Sequence, residues 1–131
     1  MTVLGIDYGS VRVGLAISDE RGRLAVPSET LTPKSESELL FTIQQIVREK
    51  GVGKIVVGLP LALSGRETEQ TRQTLQFIQG LQTRLSIPVE TEDERLTSVE
   101  AARGGVDAST KDARAAALLL QNYLDRTAQR P

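Results

Sequence analysis

The chain has 131 residues and a formal net charge of −1, and it contains no cysteine and no histidine. This composition excludes a disulfide framework, a thiolate metal site and histidine-based acid–base catalysis, so the chemistry of any active site would run mainly through carboxylates. The length fits one domain, residues 1–131, and the near-neutral charge argues against strong non-specific nucleic-acid binding, which usually leaves a basic footprint.

Hydrophobic residues make up 39% of the chain and aromatic residues only 3%. These fractions predict an ordinary globular protein with an aliphatic core. The apolar run at residues 1–6 is too short for a signal peptide, and no run approaches the roughly 20 residues of a membrane-spanning helix. We therefore expect a cytoplasmic protein that does not enter a membrane.

The first part of the chain predicts strands. Residues 3–7 form a nearly continuous apolar run, which is typical of a strand buried on both faces. Residues 12–18 alternate in character after a turn at Gly9 and Ser10, which predicts a second strand that pairs back as a hairpin. A third strand begins at residues 24–26, and Pro27 and Pro33 bracket an extended connection after it.

The next segment predicts a helix, a strand and a second helix. Ser35 and Glu38 have the spacing of a capping box, and Gly51 ends the helix that they begin. A short buried strand covers residues 54–60, and a second helix covers residues 67–85. The second helix is expected to face the core through four residues: Leu75, Ile78, Leu81 and Leu85.

The last segment predicts a fifth strand over residues 89–93, and a second capping box at Thr97 and Glu100 begins a short helix to Arg103. A final helix runs from about residue 110 to residue 127. Consecutive strands followed by alternating helices and strands predict an α/β fold, with a five-stranded mixed sheet and helices on both faces.

Three acidic residues lie at the ends of these predicted elements. Asp7 ends the first strand, Glu94 follows the fifth strand, and Asp112 opens the last helix on the face that it shares with Ala116 and Leu119. Carboxylates suit hard cations such as Mg²⁺ or Mn²⁺, and two such ions about 4 Å apart can activate a water and stabilise the leaving oxygen of a phosphodiester. We therefore expect the three acids to converge at one end of the sheet as catalytic and metal-binding residues.

Each acid also has an ordinary structural explanation. Asp7 could simply accept hydrogen bonds in the turn before Gly9. Glu94 shares a strand face with Glu90 and Glu92, which could be the solvated face of the sheet. Asp112 could complement the helix dipole, an effect of about 0.3–1 kcal/mol.

Several basic residues lie near predicted turns or element ends, where they could form a local substrate-binding patch that the overall charge does not provide. Arg95 is of particular interest, because a guanidinium can hold a phosphate through two parallel hydrogen bonds. For each residue alone, ordinary solubilising surface charge is the simpler explanation. The candidate substrate-binding residues are Arg12, Arg66, Arg95 and Lys111, with Arg103 and Arg114 nearby.

Four blocks of the sequence carry a resemblance to a known family. They are found at residues 5–19 (GIDYGSVRVGLAISD), 55–61 (IVVGLPL), 93–98 (DERLTS) and 111–125 (KDARAAALLLQNYLD). Together they span nearly the whole chain, and the block at residues 93–98 is the most specific. The chain resembles the YqgF/RuvX family, which is related to the RuvC Holliday junction resolvases.

The resemblance implies a ribonuclease-H-like fold and a metal-dependent endonuclease that uses Mg²⁺ or Mn²⁺. It implies action in the 5′-end maturation of pre-16S ribosomal RNA on a pre-ribosomal particle, or alternatively on branched DNA as a Holliday junction resolvase. The acids of the family carry over to Asp7, Glu94 and Asp112, and Arg95 is the adjacent basic residue. The segment between the last two acids is shorter than is usual in the family, and Gly104 lies in its middle, which implies a reduced substrate-gripping loop.

Two functions of other classes compete with the nuclease. A strand that ends in Asp-x-Gly also begins the nucleotide-binding domains of actin and the sugar kinases, but those proteins need a second such domain, which 131 residues cannot hold. The other alternative is a non-catalytic RNA-binding or ribosome-assembly domain. Loss of cleavage on substitution of Asp7 would distinguish the nuclease from this alternative.

Overall fold

The computed structural model of the protein describes residues 1–96 and 108–128. The predicted short helix after Thr97, with Arg103, lies outside the described residues. Within them, no helix is both long and apolar enough to cross a membrane.

The element order agrees with the sequence prediction, although the boundaries shift by a few residues. A single 3₁₀ turn, Glu94–Leu96, follows the last strand. The main elements are β1 (Thr2–Tyr8), β2 (Val13–Ser18), β3 (Ala25–Leu31), α1 (Glu36–Lys50), β4 (Val52–Leu59), α2 (Glu69–Arg84), β5 (Val89–Asp93) and α3 (Ala108–Ala128).

The five strands form one mixed sheet in the order β3-β2-β1-β4-β5. The hairpin strands β1, β2 and β3 pair antiparallel, whereas β4 pairs parallel with both β1 and β5. This topology puts β1 at the centre of the sheet and the C-terminal ends of β1, β4 and β5 at the same edge. The predicted five-stranded mixed sheet is confirmed.

Local sequence signals set the helix ends. The Ser35 side chain accepts a hydrogen bond from the Glu38 backbone N–H at 3.1 Å, as an N-cap residue does, and Gly51 ends α1 in the left-handed region with φ 63°. The second helix begins after Thr68, whose side chain exchanges hydrogen bonds with Thr71 in a capping box.

The third strand is longer than the sequence predicts, because Pro27 lies inside β3 instead of ending it. Proline cannot donate a ladder hydrogen bond, but β3 is an edge strand and needs a partner on one side only. The pairing of β2 with β3 also shifts register between Leu15 and Ala16, which accommodates the proline next to a bulge.

Helices cover both faces of the sheet, as predicted. The face that carries Leu4 and Ile6 of β1 packs against α1 and α2 in the larger core cluster. The opposite face, with Val3 and Val56, packs against α3.

The prediction for the inward face of α2 is partly wrong. Leu75 is 37% exposed, whereas Ile78 and Leu81 are buried and Leu85 is partly buried. The buried face of this helix is instead formed in part by Thr71, Thr74 and Phe77.

Candidate active site

Asp7 lies between two glycines on the face of the sheet that α3 covers. It pairs with Gly14 of β2, and the register Ile6↔Val57 places it beside Gly58 of β4. Strand side chains alternate between faces, so Asp7 shares its face with Val3, which packs against α3. The strands on both sides of Asp7 therefore carry no side chain at its level, which leaves space for groups that come from other elements.

Glu94 fills the space over Gly58. It opens the 3₁₀ turn that follows β5. A Cβ atom added at Gly58 would lie 2.6 Å from Glu94 Oε1 and 2.7 Å from its Cγ, so only glycine admits the glutamate side chain here. Gly58 thus lets Glu94 reach across β4 toward Asp7.

Asp7 and Glu94 form a carboxyl pair. The pKa of Glu94 is raised from its ordinary value of 4.5 to about 9, by burial first and then by the hydrogen bond to Asp7 and the negative charges of Asp7 and Asp93. Two neighbouring carboxylates repel each other when both are ionised, and a proton shared between them in a hydrogen bond removes that repulsion. A bound cation could replace the proton, which is the electrostatic property of a carboxylate metal site.

Asp112, at the start of α3, lies on the β2 side of Asp7. A Cβ atom at Gly14 would lie only 2.1 Å from the Asp112 carbonyl oxygen, so the first turns of α3 rest directly on β2 beside Asp7. Ala116 and Leu119 on the same face of the helix are buried, as the sequence predicts. The Asp112 carboxylate itself accepts a hydrogen bond from Arg12 Nε at 2.6 Å.

The site therefore contains the hydrogen-bonded pair Asp7 and Glu94, and a third acid, Asp112, that is hydrogen-bonded to Arg12. Within residues 1–96 and 108–128, no three acidic side chains form a group that could hold a metal ion. The oxygen donors of Asp7 and Glu94 suit Mg²⁺ or Mn²⁺, and Asp112 would have to turn from Arg12 to complete such a set. The assignment of all three acids as metal ligands stays a prediction.

Arg95 is held by its neighbours. Its guanidinium binds the Asp93 carboxylate through Nε at 2.8 Å and Nη2 at 2.6 Å, and Nη1 donates to the Leu63 carbonyl oxygen at 3.0 Å. This contact lowers the pKa of Asp93 and ties the end of β5 to the loop after β4. The geometry is that of a residue that orders the rim of the site.

The other candidate substrate-binding residues lie at the surface. Arg66 is in the loop between β4 and α2, where its carbonyl accepts a hydrogen bond from Ala62 at 3.0 Å, and Lys111 is exposed in the first turn of α3. A role for Arg12, Arg66, Arg95 or Lys111 in substrate binding stays a prediction.

The face of Glu90 and Glu92 is not simply solvated. Glu92 is only 4% exposed, and its carboxylate is bound by Arg126 of α3. Glu90 is exposed and accepts a hydrogen bond from Tyr123 Oη at 2.6 Å. These contacts fasten the C-terminal half of α3 to β5.

The residues that sequence reasoning missed are Gly14, Gly58 and Asp93. Glycine inside a strand often marks a close approach by another group, and this signal was present at both glycines. Asp93 has no role in the sequence prediction, although its position two residues before Arg95 permits a local ion pair.

Comparisons with known proteins agree on one family. A sequence model of the RuvX family, described as "Holliday junction resolvase", matches residues 1–126. A protein from Anaeromyxobacter dehalogenans is 43% identical over 137 residues, covering 98% of this chain and 99% of that protein. A protein from Chloroflexus aggregans is 39% identical over 132 residues, covering 95% and 93%. Both relatives carry the name "Putative pre-16S rRNA nuclease".

Solved structures show the fold. The RuvC protein of Thermus thermophilus in complex with a Holliday junction substrate superposes with a TM-score of 0.65 at 12% identity, covering 98% of this chain and 96% of that one. The fowlpox virus Holliday junction resolvase gives a TM-score of 0.58 at 10% identity, covering 96% and 99%. The ribonuclease-H-like fold expected from the sequence is therefore confirmed.

Proposed function

Because the chain belongs to the RuvX family, we propose that it is a nuclease that hydrolyses nucleic-acid phosphodiesters with a divalent metal ion, and that its substrate is the 5′ end of pre-16S ribosomal RNA. In this proposal residues 1–131 act as a single nuclease domain in the cytoplasm. The observation that carries the chemistry is the Asp7–Glu94 carboxyl pair, in which burial and then the neighbouring Asp7 raise the pKa of Glu94.

Asp7 and Glu94 would hold Mg²⁺ or Mn²⁺, with Asp112 as a third ligand. When bound, the ion supplies Lewis acidity at the phosphate and a more acidic water. Asp7 is fixed by its pairing with Gly14 of β2, and Glu94 by its fit over Gly58, so the chain provides ligands in place before substrate arrives.

The basic residues would orient the nucleic acid. Arg12 lies beside Asp112, and Lys111 and Arg66 project from the surface around the same end of the sheet. Arg95 supports the rim through Asp93 and the Leu63 carbonyl, and any contact of Arg95 with phosphate would use the donors that these partners leave open.

The test is a cleavage panel with Mg²⁺ or Mn²⁺, comparing a precursor RNA with a 5′ leader, single-stranded RNA and a four-way DNA junction. We expect cleavage of the precursor RNA, loss of cleavage in EDTA, and loss in the Asp7→Asn protein. Asp125→Asn is a matched control, because it makes the same chemical change at an exposed position of α3. Activity of Asp7→Asn at the wild-type level would refute the proposed site.

The description of the RuvX family supports a second candidate, the resolution of Holliday junctions in DNA. The same panel separates the two substrates, since preferential and symmetric cleavage of the four-way junction would favour it. Binding of precursor RNA without any cleavage under all metal conditions would instead indicate a non-catalytic RNA-binding domain.

A further inference from the structure

The ion pair between Arg12 and Asp112 joins two parts of the chain that are 100 positions apart. Arg12 Nε lies 2.6 Å from Asp112 Oδ2, and the two side chains are 45% and 26% exposed. Ion pairs with this much solvent contact stabilise a fold little. The packing of α3 on Gly14 and the buried Ala116 already hold the helix in place, so stability is a weak reason for the pair.

The local backbone presents Arg12 to the site. The Arg12 carbonyl folds back so closely on Gly9 that a Cβ atom there would lie 2.5 Å from it, which makes a tight turn between β1 and β2. The turn leaves the guanidinium beside the start of α3. Within the described part of the chain, Asp112 is the only carboxylate that it binds.

Resting on the proposed function, we propose that Arg12 and Asp112 form a metal-sensitive latch. Without metal, Arg12 is a positioning residue that neutralises Asp112 and keeps it apart from the Asp7–Glu94 pair. Asp112 would leave Arg12 in order to bind a divalent ion, and the Arg12 guanidinium would then be available to a substrate phosphate. Metal and nucleic acid therefore bind with positive coupling, and each strengthens the binding of the other.

The chemistry of the partners supports this exchange. A carboxylate oxygen that accepts a charge-assisted hydrogen bond at 2.6 Å is a poorer ligand until that donor leaves. The guanidinium in turn loses its anionic partner, and a phosphate oxygen is an equivalent acceptor for it. Arg12 thus binds the Asp112 carboxylate in the free protein and a phosphate in the complex with nucleic acid.

The first experiment measures binding of a fluorescein-labelled RNA hairpin with a single-stranded 5′ extension, in EDTA, by fluorescence anisotropy at several salt concentrations. Asp112→Asn frees Arg12, so we expect this variant to bind about five- to tenfold more tightly than wild type. The slope of log K against log salt should steepen by about 0.7, the value for one more phosphate contact on a single strand.

Asp7→Asn is the matched control, because it removes the same charge but leaves the Arg12–Asp112 pair intact. It should gain less affinity and keep the wild-type slope. The double variant Asp112→Asn with Arg12→Gln should lose the gain. Equal gains in the two Asn variants, or a gain that persists in the double variant, would overturn the latch.

The second experiment measures Mn²⁺ affinity by electron paramagnetic resonance and does not depend on how Asp112→Asn folds. Arg12→Gln should bind Mn²⁺ several-fold more tightly than wild type, because the competing donor is gone. Arg66→Gln removes the same charge elsewhere and is the control. Unchanged or weaker binding in Arg12→Gln would overturn the proposal. Neither readout uses cleavage, so an inactive wild type would refute the proposed nuclease without deciding the latch.

Discussion

Replacing Glu94 by glutamine tests the carboxyl pair without any substrate. Burial, the hydrogen bond to Asp7 and the nearby negative charges together raise the pKa of Glu94 to about 9, so the folded protein holds a proton in a range where the unfolded chain, with its ordinary value of 4.5, has released it. A group with a raised carboxyl pKa makes the folded state less stable as pH rises through this range. Glutamine has the shape of the protonated acid and does not titrate, so Glu94→Gln should remove this loss.

The magnitude follows from the proton that the folded state retains. Over each pH unit in which only the folded state holds this proton, the free energy of unfolding falls by up to about 1.4 kcal/mol. Glu94 is partly exposed, which weakens the effect, so we expect metal-free wild type to lose about 1–3 kcal/mol relative to Glu94→Gln between about pH 6 and about pH 8. For a chain of this size that is roughly 3–10 °C in Tm.

The assay is urea unfolding in EDTA at a series of pH values, with the difference in free energy of unfolding plotted against pH. Glu49→Gln, an exposed glutamate in the last turn of α1, should follow wild type throughout. Parallel curves for wild type and Glu94→Gln would refute the reasoning, because they would mean that Glu94 holds no extra proton in the folded protein.

Three further predictions concern the surroundings of the pair. Gly58→Ala places a Cβ atom 2.6 Å from Glu94 Oε1, so we expect the side chain to be displaced, with Mn²⁺ affinity at least tenfold weaker by calorimetry and a change in Tm of only a few degrees. Arg126→Met leaves Glu92 buried without its cation; chemical unfolding at pH 7 should show a loss of about 1–3 kcal/mol, and adding Glu92→Gln should recover most of it. Arg95→Lys keeps the charge but loses the planar fork, so hydrogen exchange should quicken in the loop after β4 while Mn²⁺ affinity stays near wild type; a fall in Mn²⁺ affinity would mean that the rim orders the acids.

Short-range signals made most of the fold predictable. Ser35 with Glu38 and Gly51 at the other end fixed α1, because capping depends on residues within a single turn. The effect of Pro27 on the third strand was mispredicted for the opposite reason, because it depends on residues far away in the sequence. Its tolerance depends on whether β3 has a neighbour on one side or two, and strand order is not a local property.

The site was only partly predictable, since it depends on contacts between distant segments. Strand and helix ends correctly indicated that Asp7 and Glu94 lie together. The partner of Asp112 is 100 positions away at Arg12, and nothing in the spacing of either residue indicates the pair. The burial of Glu92 likewise depends on α3 crossing β5, whereas its alternation along the strand was equally consistent with a solvated face.

The position of Asp7 in the sheet affects the conformational entropy that the protein loses when a ligand binds at the site. Asp7 belongs to the central strand, where it pairs with Gly14 of β2 and follows Ile6, which pairs with Val57 of β4, so its main chain has little freedom left to lose. Gly14 and Gly58 carry no side chains beside it, so Glu94 and the start of α3 come close to an acid that is held by a strand. A ligand that binds here therefore meets one donor already immobilised by folding, and the entropy of ordering falls only on the groups brought in by the 3₁₀ turn and by the start of α3.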